Sequence, residues 1–150
     1  MKTTIYSSIL AALCIIMLWS CGKFELETSD NGKLDGNWHL VAVDTLATGI
    51  SSDMSNDYVF WSVQGKLLQV VNSDNIGLMN IFRFEYKDNK LTLYDARRNW
   101  REEYDPVVED ASILTQFGIN SLNEEFNIET LKNRHMVLKN NTLRLHFKKM

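Results

Sequence analysis

Three histidines, two cysteines and a scatter of carboxylates are the groups of this chain able to do chemistry, and their spacing decides which chemistry is open. Cys21 is the best placed. It closes Leu18-Trp19-Ser20-Cys21 after a lone Lys2 and an apolar run from Ile5 to Leu18, so a thiol stands where a secretory signal would be cut. A sulfur at that cut is suited to acylation. Cys14 leaves with the signal, so once Cys21 carries lipid no thiol remains for a disulfide, zinc or nucleophilic attack. His39 and His146 fall on the first and last predicted strands, neighbours if the sheet closes, yet alternation turns both outward, and His135 stands alone beside Arg134. Two imidazoles without a cysteine or a placed carboxylate fall short of a tetrahedral ligand set. No metal and no cofactor is therefore expected. The chain also has no serine elbow, no histidine-glutamate helix, no phosphate-cradling glycine loop and no isolated carboxylate pair, so it is not expected to be an enzyme.

Leu18, Ser20 and Cys21 resemble the bacterial lipoprotein signal, with Trp19 departing from the small or β-branched residue usual there. The resemblance implies that residues 1–20 are a cleaved signal peptide and that Cys21, the first mature residue, carries fatty acyl chains such as palmitate. Each buried methylene contributes about 0.8 kcal/mol and a multiply acylated cysteine is held effectively permanently. The implied location is the cell envelope, most often the outer membrane. Residues 21–33 read as a flexible tether with a reach of roughly 20 Å. Glu25, Glu27 and Asp30 partly resemble the acidic run associated with surface export in Bacteroidetes lipoproteins, which leaves the periplasmic and surface faces both open.

Charge excludes one class of partner. Removing residues 1–20 takes away one lysine and no acid, leaving 15 basic against 19 acidic side chains. Nucleic acid would call for a basic face. The dense basic group Arg97, Arg98 and Arg101 runs at once into Glu102, Glu103, Asp105, Glu109 and Asp110, a mixed solvated surface or a rim that touches another envelope protein.

The elements that position these groups are strands. Trp38, Leu40 and Ala42 alternate with His39, Val41 and Val43; residues 58–64 and 66–72 flank Gly65, which is either a tight turn between two strands or, the reading preferred here, a bulge bending one long strand. Phe82, Phe84 and Tyr86 share one face of the next strand, and Asp88-Asn89 is a hairpin turn into Leu91 and Leu93. Residues 126–131, 134–139 and 142–149 are strands again, with a tight turn at Asn140-Asn141. Pro106, the acids Glu109-Asp110, Ile113, Leu114 and Phe117 at helical spacing and a terminal Gly118 predict one short helix that plugs or covers one end of the sheet. Ser121 and Glu124 predict a second, capped turn.

Eight antiparallel strands joined in sequence order predict an all-β, eight-stranded up-and-down barrel over residues 34–150, with a β-sandwich as the alternative. Leu34-Asp35-Gly36-Asn37-Trp38 resembles the G-x-W opening of lipocalin-like barrels, and the stretch from Phe117-Gly118-Ile119 to Leu143-Arg144-Leu145-His146-Phe147 resembles the end of small lipocalin-like lipoproteins of Bacteroidetes, a family with no assigned activity. The resemblance implies Trp38 as the barrel floor with a basic side chain packed over it, a role that passes to Arg144, with Arg134 the other candidate. By alternation Trp61, Val63, Phe82, Phe84, Leu93, Phe126 and Met136 point inward, either lining a pocket for a small apolar or amphipathic ligand or filling the barrel solid. Two functions stay open: a lipid-anchored ligand carrier, or a non-catalytic interaction protein that contacts another envelope protein.

Overall fold

The alternation along the chain closes into a barrel in the computed structural model, which describes residues 29–74 and 79–150. The signal segment, Cys21 and the first part of the tether lie outside the described residues. Nine strands form one antiparallel sheet: β1 (Gly36–Thr45), β2 (Ile50–Asp53), β3 (Val59–Gln64), β4 (Leu67–Asn72), β5 (Met79–Lys87), β6 (Lys90–Arg98), β7 (Glu124–Leu131), β8 (His135–Lys139) and β9 (Leu143–Lys149). The order β1-β3-β4-β5-β6-β7-β8-β9 returns to β1, so eight strands close a ring and remove the sheet edges between them. β2 is the extra strand. It pairs with the second half of β1, Ala42 to Thr45, on the edge whose first half, Gly36 to His39, pairs with β3.

Three bulges decide which side chains enter the barrel. Leu40 pairs with Phe147 but Ala42 with His146, so Val41 is the extra residue in β1. The inward set is therefore Trp38, Leu40 and then Val43, in place of the Ala42 that unbroken alternation predicts. Glu129 is the extra residue in β7, which brings Leu131 opposite Met136. In β6 the bulge sits at Asp95, in the left-handed region at φ 52°, and it turns Ala96 into the core.

Turns follow the residues able to take positive φ. Asp88 and Asn89 both adopt it, at 52° and 58°, between the paired Lys87 and Lys90. Gly65 also takes φ 58°, in a hairpin turn that lets Gln64 pair with Leu67, so the bulge reading of this glycine gives way to the turn. Asn140 builds the last hairpin through its side chain, whose Oδ1 accepts from the backbone of Thr142 and Leu143.

The connection from β6 to β7 is long and covers one end. Within it Ala111–Phe117 is a 3-10 helix, tighter than the α-helix its spacing suggests. Asp110 caps its start by accepting from the backbone and hydroxyl of Ser112, and Gly118 ends it at φ 79°. Leu114, Phe117 and Ile119 are buried in the core, as the predicted plug requires. The second predicted turn forms as a bend and not a helical turn: Glu124 opens β7, and its carboxylate caps the bend by accepting from the backbone of Asn120 and Ser121 and from the Ser121 hydroxyl. Ser29 and Asn31, placed in the tether from sequence, are fastened to the barrel through Asp35 Oδ1 and the Gly65 backbone.

Candidate functional site

Trp38 sets the closed end. Its indole is fully buried, with Nε1 donating to the Leu34 carbonyl at 2.7 Å, and the 3-10 turn Gly32–Leu34 places that carbonyl. The cation over its ring is Lys149, whose Nζ stands 4.8 Å from the ring centroid and also donates to the Lys33 carbonyl. Neither Arg144 nor Arg134 takes this place. Arg144 makes a two-pronged pair with Glu129, at 2.6 and 3.1 Å, and this contact holds the Glu129 carboxyl below its ordinary range. Arg134 is exposed in the turn before β8, where its carbonyl accepts from the Lys149 backbone. Lys149 takes the place because β9 ends beside Trp38, whereas Arg144, the second residue of β9, lies near the opposite end, beside Asp44.

Above the floor the opposite walls meet. Trp61 on β3 lies with its ring centroid 5.7 Å from Phe126 on β7 and 5.1 Å from Phe147 on β9, in edge and tilted geometries favourable to aromatic rings. Its Nε1 donates to the Phe117 carbonyl at 3.2 Å, so the same indole ties the wall to the plug. Of the inward residues named from sequence, Trp61, Val63, Phe82, Leu93, Phe126 and Met136 are all buried; Phe84 is half-buried and packs against them. Tyr86 keeps the face of Phe82 and Phe84, opposite the buried Leu91, but near the end of β5 it is exposed and lines a cleft with Ile128 and Leu131.

Sequence reading missed the polar member of the interior. Asn80, the second residue of β5, is 1% exposed, with Val70 as its partner on β4 and Phe82 as its next inward neighbour. Its Nδ2 has no hydrogen-bond partner among the described residues. An amide donor so enclosed costs roughly 1–3 kcal/mol when unmet. The signal was the parity of Phe82 and Phe84 carried two residues back. Asn140, the other buried polar residue, is fully engaged, its Nδ2 donating to Glu124.

The histidines lie outside the barrel. His39 stacks on Phe60 and its Nε2 lies 2.7 Å from the Asp57 carbonyl; His146 Nε2 lies 2.8 Å from Asp44 Oδ2 across the β1–β9 seam. Among the described residues no group of three or more histidine, cysteine, aspartate or glutamate side chains converges as a metal site. Likewise no described helix is long and apolar enough to cross a membrane.

A closed eight-stranded barrel with a buried G-x-W tryptophan, a basic group over it and a plugged mouth defines a lipocalin-like architecture. The chain belongs to the lipocalin-like domain family, whose model matches residues 15–150. In fold it is similar to a lipocalin-like protein from Bacteroides uniformis ATCC 8492, at 19% identity and a TM-score of 0.61 over 79% of this chain and 100% of that one. It is also similar to an uncharacterized protein from Bacteroides eggerthii DSM 20697, at 19% identity and a TM-score of 0.59 over 77% of this chain and 98% of that one. No curated protein matches the chain.

Proposed function

We propose that this protein is a lipid-anchored barrel of the bacterial envelope that holds one small amphipathic molecule inside, beneath the plug. The unmet Nδ2 of Asn80 carries the reading. In an interior otherwise built of apolar side chains, a lone donor fixes the polar end of a ligand, while its apolar part lies against inward neighbours such as Val70 and Phe82. A carboxylate, carbonyl or hydroxyl oxygen is the complementary group. Trp38 and Phe147 fill the floor, and the Trp61–Phe126 contact reaches up to Phe117, which confines the ligand to the β4–β5 side beneath Ala111–Phe117. The protein acts without catalysis, and Cys21 supplies the anchor.

Native mass spectrometry of the full chain tests the reading. A bound small molecule, lost in Asn80→Leu while the protein stays folded, is the expected result. Bare protein that takes up no decanoate would instead favour a barrel filled throughout, which works by touching another envelope protein; the Trp61–Phe126 contact across the lumen supports that second reading. For the anchor, Cys21→Ala is expected to move the protein from the membrane to the soluble fraction, and unchanged retention would contradict acylation there.

A further inference from the structure

The outer wall carries a concavity that shares no residue with the barrel core. A cleft of about 790 Å³ lies over β3, β4 and β5, within the roughly 300–1,000 Å³ of small-molecule sites. Its floor alternates in character. Leu67 and Ile81 supply apolar surface, while Ser62, Gln64 and Gln69 bring a hydroxyl and two amides among them, all on the outward side of paired strands. The loop Asn99–Asp105 forms the rim with Arg101, Tyr104 and Asp105.

That rim is held in an unfavourable shape. Tyr104 and Asp105 are consecutive non-glycine residues at positive φ, 59° and 50°, a conformation that costs about 1–3 kcal/mol per residue and persists only where neighbours enforce it. Here the backbone of Trp100 accepts from Asp105, that of Arg101 accepts from Tyr104, and Arg97 Nη1 donates to the Asp105 carbonyl. The outcome is a tyrosine 92% exposed at the edge of the cleft, beside an Asp105 whose Oδ1 is turned into the protein and has no hydrogen-bond partner among the described residues.

From these groups the geometry points to a carbohydrate site, with a short neutral oligosaccharide as its ligand. A pyranose is a disc with apolar C–H faces and a hydroxyl edge. The ring of Tyr104 and the Leu67–Ile81 floor suit the faces, and the side-chain amides of Gln64 and Gln69 suit vicinal hydroxyls. Competing ligands fit less well. An extended peptide would need free backbone donors, yet β4 is paired on both sides here. An anion would need net positive charge, and Arg101 is matched by Asp105 within the cleft. A purely apolar molecule would strand both glutamines.

Saturation-transfer NMR on the full chain, with maltotriose, cellotriose, xylotriose and chitotriose as probes, tests the site. At least one probe is expected to receive saturation. Tyr104→Ala and Gln69→Ala should each weaken it about tenfold, Tyr104→Phe should retain it because stacking survives, and Tyr94→Ala, a surface tyrosine on β6 outside the cleft, should leave it unchanged. Absence of transfer to every probe, or binding indifferent to Tyr104→Ala, would overturn the assignment.

Discussion

Trp61 and Phe126, on strands that stand opposite each other in the ring, touch across the whole lumen with ring centroids 5.7 Å apart. The contact makes the lower barrel a packed core, and truncation there should behave as core truncation does. Trp61→Ala is expected to destabilise the protein by about 3–5 kcal/mol, read from urea unfolding midpoints, because it removes a fully buried ring and the plug's tie to Phe117 together. A loss under about 1 kcal/mol would mean that the walls do not meet.

Gly118 and Gly65 separate backbone strain from crowding. Both have positive φ, but a Cβ on Gly118 would lie 2.6 Å from Leu145 Cδ2, whereas one on Gly65 meets open space. Gly65→Ala should cost about 1–2 kcal/mol from conformation alone. Gly118→Ala should cost more than Gly65→Ala in thermal unfolding, since Leu145 must also move within a close-packed interior.

Lys149 gives the floor its cation. Lys149→Ala is expected to cost about 0.5–1 kcal/mol and to shift the Trp38 indole N–H resonance. Arg144→Ala, which frees Glu129 on the outside, should leave that resonance in place.

Acid should loosen the β1–β9 seam. The hydrogen bond from His146, and then that from Ser51, holds Asp44 below its ordinary value of 3.8, so the folded state keeps this carboxylate ionised more readily than the unfolded chain does. The contribution is complete above that ordinary value and is lost as pH falls through the lower folded value. Glu129 beside Arg144 behaves in the same sense from its ordinary value of 4.5. In a carboxyl NMR titration, His146→Phe should raise the Asp44 midpoint towards 3.8; an unmoved midpoint would remove His146 as the cause.

The barrel was legible in the sequence wherever apolar residues alternate, as at Trp61, Val63, Phe82 and Leu93. β2 was not, because Ile50-Ser51-Ser52-Asp53 is exposed at every position and so carries no inward-outward pattern. Bulges were invisible for a related reason. Val41 and Glu129 look like ordinary strand residues, and only the partner strand's register shows that each is one too many. The floor was half legible: G-x-W located Trp38, but choosing Lys149 over Arg144 required knowing which end of β9 lies beside it. Asn80 escaped because a polar residue at a strand start reads as solvated until closure buries it.

The side-chain amide of Asn80 is the most direct witness of the proposed ligand site. With sodium decanoate added to the full chain, its NH₂ resonances are expected to shift in a saturable manner, together with those of Val70 and Phe82, as an acceptor oxygen meets Nδ2. Resonances that stay fixed up to decanoate saturation, with no other interior group responding, would contradict the carrier and leave a solid barrel in its place.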